Sequence, residues 1–164
     1  MLTLSDIDLT ETSCTCKECQ GMCEHVPCWP TPQEAEKLMN AGFGDRLMLD
    51  WWNGFGWRDN DRYFGPTRIW VLCPASEGHA RNLAPERNPF DSRYAERCTF
   101  LTEDGLCQLH NLKLKPLEGR IAHHSHADDG INPREAIANE WDTPFGEALV
   151  RRWKAEHLLV VRDV

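Results

Sequence analysis

Apolar residues recur at helical spacing near the end of the chain, where Phe145, Leu149 and Trp153 stand four apart behind Thr143-Pro144. A polar cap followed by proline spares an unusable backbone N–H, so this pattern predicts a helix to about His157 with that stripe as core. Two further starts have the same form. Asn132-Pro133-Arg134-Glu135 opens one helix, and Thr31-Pro32-Gln33-Glu34 opens another as a capping box that Gly42 should close. Asp45 to Trp52 reads as a further short helix ahead of the glycine- and tryptophan-rich stretch Asn53-Gly54-Phe55-Gly56-Trp57.

Strand patterns are fewer. Thr67 to Cys73 is β-rich and ends at Pro74, while Cys98 to Leu101 and Leu106 to His110 flank Thr102-Glu103-Asp104-Gly105, whose Asp-Gly pair predicts a hairpin turn. That hairpin would carry Cys98 and Cys107 on opposing strands, close enough to meet at one ion. Between the Thr67–Cys73 strand and this hairpin, residues 76 to 97 are polar, contain Pro85 and Pro89, and read as an irregular surface loop. The expected fold is therefore α+β, a small loop-rich, metal-stabilised domain with several short helices and a short β-hairpin. One domain spans 1–164, with a cysteine- and histidine-rich region at 14–126 and C-terminal helices at 132–160 packed on it.

The metal enters because five of the eight cysteines fall within fifteen residues, as Cys14, Cys16, Cys19, Cys23 and Cys28. The segment holding the first four has too few apolar residues to fold by burial. Thiolates spaced this closely can turn around one soft ion, zinc or iron. Cys16-x2-Cys19 is the strongest local signal, chelating from a tight turn. Cys23 and Cys28 follow, and recruitment of Cys98 and Cys107 would close a long loop and stabilise more of the chain. Cys73, behind Ile69-Trp70-Val71-Leu72, reads equally as a buried small hydrophobe or a ligand. His123, His124 and His126 form a dense group that adds imidazole donors, His123 first among them.

Charge and hydropathy narrow the setting. A net charge of −8 disfavours nonspecific attraction to phosphate backbones, so no nucleic-acid partner is expected. The longest apolar run, Ile69 to Cys73, is far too short to span a bilayer, and the acidic start does not resemble a secretory signal. The expectation is a cytoplasmic protein without a membrane partner, whose thiols are reduced and serve metal binding rather than disulfides. Of its seven tryptophans most should be core, but Trp51, Trp52 and Trp57 beside glycines could offer a protein partner an aromatic loop.

Taken together, these parts resemble the YkgJ-type cysteine-cluster family, a zinc- or iron-chelating domain. The resemblance rests on Cys16 to Cys23, on Thr31-Pro32-Gln33-Glu34, on Cys98-Thr99-Phe100-Leu101 with Gly105-Leu106-Cys107, and on Lys115-Pro116-Leu117-Glu118-Gly119-Arg120, spanning about residues 14 to 120. Three positions depart from the family's pattern. Glu24 stands where many members have the second of two adjacent cysteines, His110 replaces a common tyrosine, and Gly119 occupies the place of the last cysteine. His123, His124 or His126 would then complete a mixed sulfur–nitrogen site.

The resemblance implies metal binding without a substrate. Zinc is favoured over an iron–sulfur cluster, since a structural role and histidine substitution suit a tetrahedral closed-shell ion, and the role implied is structural or partner-binding. The alternative is an iron–sulfur redox protein or a metal-dependent enzyme, in which the three histidines with Asp128 or Glu118 leave an open coordination position. A Rieske-type pairing of Cys23-x-His25 with Cys107-x-x-His110 is disfavoured by the long gap between its halves.

Overall fold

The computed structural model describes residues 16–52, 69–78, 96–122 and 133–157, together with the backbone of 56–58 and 61–63. The fold is mixed α+β and loop-rich. Helix α1 (Lys17–His25) buries none of its residues, and α2 (Pro32–Leu38) starts on the capping box: Glu34 N–H donates to the Thr31 hydroxyl and Thr31 N–H to the Glu34 carboxylate. The chain runs on through a wide turn, Met39–Phe43, in which Gly42 takes φ 90°, and a 3-10 turn, Gly44–Arg46. Strand β1 (Leu47–Trp52) and strand β4 (Ile69–Pro74) pair antiparallel along their full length, and β2 (Gly56–Arg58) with β3 (Asp61–Tyr63) forms a second short pair. Helices α3 (Leu117–Ile121), α4 (Pro133–Trp141) and α5 (Pro144–His157) complete the described elements.

The helix expected over Asp45 to Trp52 is instead the strand β1. Its first four residues, Leu47 to Asp50, are all buried, which one amphipathic helical face does not accommodate. Pairing with Ile69–Pro74 satisfies the backbone of a segment covered on both sides. Helix α2 packs on β4, as do α4 and α5, and α4 also meets β1. The core gathers Leu38, Leu49, Leu72, Phe100, Ile137 and Trp153 among others.

Three buried tryptophans satisfy their indole N–H groups, so each fixes a neighbour as well as filling space. Trp29 donates to Asp50 at 3.0 Å, Trp141 to the Pro30 carbonyl at 2.9 Å and Trp153 to the Gly44 carbonyl at 2.7 Å. Trp52, expected on an exposed aromatic loop, is half-buried and meets Trp29 edge to face at 6.3 Å. The α5 stripe holds at Leu149 and Trp153, but Phe145 is 41% exposed, with Gly146 and Val150 turned inward in its place.

The reversal expected at 102–105 is present. Gly105 takes φ 78°, where a side chain is strained, and its N–H reaches the Thr102 carbonyl at 3.0 Å. The strands expected on either side reduce to one bridge, Leu101 with Cys107, while Cys98 bridges Ser76. The cause is a second turn, Leu101 N–H to the Cys98 carbonyl at 3.1 Å, which bends the chain away from extended pairing. Arg46 supports the bend, donating to the Thr99 carbonyl at 2.8 Å with its guanidinium 3.8 Å over the Phe100 ring.

Candidate metal centre

Cysteines at 16, 19 and 23 follow helical spacing, and they lie on α1 rather than on the tight turn expected: Cys16 is its N-cap, and Cys19 and Cys23 stand one turn apart on it. The end of α1 is tied down by the Cys98 amide, which donates to the Cys23 carbonyl at 2.8 Å. From there the chain reaches Cys28, whose sulfur lies 3.7 Å from that of Cys23. A recess of about 30 Å³ is lined by Cys19, Cys23, Cys28, Cys107, His110 and Lys115 among others. A smaller one of about 10 Å³ shares Cys23, Cys28, Cys107 and Lys115 and adds Cys98. Five predicted ligands, from three separate segments, therefore line two recesses that share Cys23, Cys28 and Cys107.

The grouping is a close pair ringed by further thiols. Among the described residues no three Cys, His, Asp or Glu side chains lie close enough, as placed, to hold one ion. No disulfide joins the seven described cysteines. Cys16 is half-buried at the helix start and is not among the residues lining either recess. Cys73 is fully buried in β4, opposite Met48. Cys14, His123, His124, His126 and Asp128 lie outside the described residues.

Electrostatics divide the thiols. Cys23 is held below the ordinary thiol value, first by the hydrogen bond from Cys28 and, against burial, by the charge of Lys115. Cys28 is pushed well up by the same contact and then by burial. Burial pushes Cys98 up to about 12, opposed by the Phe100 amide hydrogen-bonded to its sulfur. Cys107 is raised by burial, while the amides of Leu109 and His110 hydrogen-bond to it and lower it. Such N–H donors are what a thiolate needs once a cation replaces its proton.

Two clasps hold the recess in place. In the first, Trp29 N–H donates to Glu118 Oε2 at 2.6 Å and Glu118 N–H returns to the Trp29 carbonyl at 3.1 Å, so the residues after Cys28 and before Gly119 are bound to each other. Arg134 completes it, donating Nε to Glu118 Oε1 at 2.7 Å and Nη2 to the Pro27 carbonyl at 3.2 Å. Burial alone would lower the Arg134 pKa, but the paired Glu118 and nearby Asp50 raise it, so the guanidinium stays charged. Glu118 is 1% exposed with both oxygens engaged, which removes it as an open-site ligand. In the second clasp Glu34 accepts from Leu117 N–H at 3.0 Å and pairs with Arg120. The segments Thr31 to Glu34 and Lys115 to Arg120, far apart in sequence, thus lock together.

Gly119, where the resembled family has its last cysteine, faces the pair: a Cβ there would lie 3.4 Å from Cys28 Sγ. His110 is the donor the cysteine pattern underweighted. Its Nδ1 is buried without a hydrogen-bond partner among the described residues, and its position three residues after Cys107 was the available signal. His25 is exposed on α1, while Cys23 lines the recess, so the two members of the Cys23-x-His25 half of a Rieske arrangement do not face one site. Arg134 carried no such signal, since its partner lies across the fold.

Compared with family models, curated proteins and solved structures, the chain matches none. Among the described residues no helix is long and apolar enough to cross a membrane. The site itself is of a definable class, a thiol-rich recess built from a short helix, a tight loop and a reversed turn.

Proposed function

We propose that this chain is a metal-binding protein of the YkgJ type, in which Cys23, Cys28, Cys98 and Cys107 hold one Zn²⁺ with Cys19 and His110 beside it. The observation that carries the reading is the 3.7 Å separation of the Cys23 and Cys28 sulfurs. Zn–S bonds of about 2.3 Å in a tetrahedron place two sulfurs about 3.8 Å apart, so the pair already has the edge of a single-ion site. In a four-iron cluster each thiolate takes its own iron, which calls for a wider spacing. The amides on Cys98 and Cys107 favour the deprotonated sulfurs that ligation requires. Closing the shell draws those two thiols onto the pair and ties α1 to the 98–110 segment. Such an ion is structural, and it prepares a surface for a partner rather than an open position for substrate.

The test is metal analysis with an absorption spectrum on protein purified without oxygen. The expected result is about one zinc per chain, no visible band, and a melting temperature that falls on chelation and returns with zinc. Protein that carries no zinc and whose melting ignores added zinc would overturn the reading. Iron with sulfide and absorption at roughly 400 nm would replace it with the cluster alternative.

A further inference from the structure

Beside the thiol recesses lies another, of about 130 Å³, between α2 and the 113–120 segment, lined by Lys37, Lys113, Lys115, Arg120, Glu34 and Leu114. Four cations meet one carboxylate there, in a chain of net charge −8. The carboxylate, Glu34, is already occupied by Arg120 and the amides of Thr31 and Leu117. Lys37, Lys113 and Lys115 form no ion pair among the described residues. Arg120, with 19% of its side chain exposed, leaves Nε buried without a hydrogen-bond partner. A buried guanidinium N–H of this kind is satisfied by an acceptor, and an oxyanion matches its geometry.

The backbone supplies an independent observation. Leu114 N–H returns to the Leu109 carbonyl at 2.9 Å and Lys113 N–H to the His110 carbonyl at 3.0 Å. This is the paired hydrogen-bond pattern whose penultimate residue adopts the left-handed conformation, normally glycine. Here that residue is Lys113, with φ 56°, the one non-glycine residue of positive φ among those described. A lysine at a position that disfavours any side chain calls for a use of its charge.

We propose that this recess is an oxyanion site that takes the phosphate or carboxylate group of a small anionic ligand. Lys115 lines this recess and both thiol recesses. The rest of the ligand is thereby held beside the thiol centre, whichever ion that centre binds. Lys37, in the last turn of α2, serves the helix end as well, so Lys113 and Arg120 carry the specificity.

The test is titration calorimetry of the full chain with inorganic phosphate and, separately, citrate, at low ionic strength held constant with chloride. Saturable one-to-one binding is expected. Lys113→Gly should weaken it roughly tenfold or more while raising the melting temperature, because glycine relieves the left-handed backbone. Arg151→Ala, which removes an exposed cation elsewhere on α5, should leave binding unchanged. Saturation by phosphate alone or by citrate alone upholds the site and assigns the ligand's group. No saturation by either, undiminished binding in Lys113→Gly, or equal weakening in Arg151→Ala overturns it. Zinc content measured on the same samples keeps the thiol reading separate, since Lys113 should not alter it.

Discussion

Replacing Arg134 by methionine keeps most of the aliphatic stem and removes the charge that answers a buried carboxylate. Glu118 is 1% exposed, and without Arg134 it retains only the Trp29 amide among the contacts described above. Asp50, 2% exposed and 3.9 Å from the guanidinium, loses the same countercharge, and the Trp29 ring loses a cation 4.5 Å from its centre. Removing one partner of a buried ion pair costs about 3–5 kcal/mol, because the other is left charged and poorly solvated. Arg134→Met should therefore lose stability in that range. In Glu118→Gln with Arg134→Met the charge at 118 is gone, the Trp29 amide still meets an oxygen, and only the weaker loss at Asp50 remains. The double variant should then be more stable than the sum of the single losses by about 1–3 kcal/mol. Urea unfolding followed by tryptophan fluorescence, on metal-free protein at neutral pH, measures all three. A loss below about 1 kcal/mol in Arg134→Met, or additivity within about 0.5 kcal/mol, would refute the assignment of the pair as a clasp. Zinc affinity should fall alongside, since the clasp sets Cys28 against Gly119.

Two further predictions follow from the thiols. Cys28→Ala and Cys107→Ala should lower zinc content and melting temperature together, whereas Cys73→Ala, fully buried near the end of β4, should cost about 1 kcal/mol and leave zinc content unchanged; metal analysis with thermal melting separates them, and normal zinc in Cys107→Ala would remove that ligand. For the metal-free protein, burial raises Cys98 to about 12 and raises Cys107 as well, so the folded state holds these protons more tightly than the unfolded chain. That stability is full below the unfolded thiol value of about 8.5 and declines as pH climbs toward the folded values. Urea midpoints should therefore fall from about pH 8.5 upward, less steeply in Cys98→Ala, and an unchanged slope in that variant would contradict the burial of this thiol.

The elements written into local chemistry were readable from the chain alone. Thr31-Pro32-Gln33-Glu34 caps its helix through its own side chains, Pro133 and Pro144 start theirs, and the turn closed by Gly105 needs no distant partner. The grouping of cysteines likewise pointed to the thiol recess, because close spacing along a chain limits how far apart sulfurs can be. What depended on distant contacts was not readable. Leu47 to Trp52 has no local feature that forbids a helix, and only pairing with Ile69–Pro74 makes it a strand. Phe145 fits the helical stripe by spacing, yet the direction from which β4 approaches α5 leaves it outside. Glu34 meeting Leu117 and Arg120, Glu118 meeting Arg134, and Lys37 meeting Lys113 across a recess are likewise products of the tertiary fold. Hydrogen bonds and charges act over a few ångströms in space, and the sequence orders residues only along the chain.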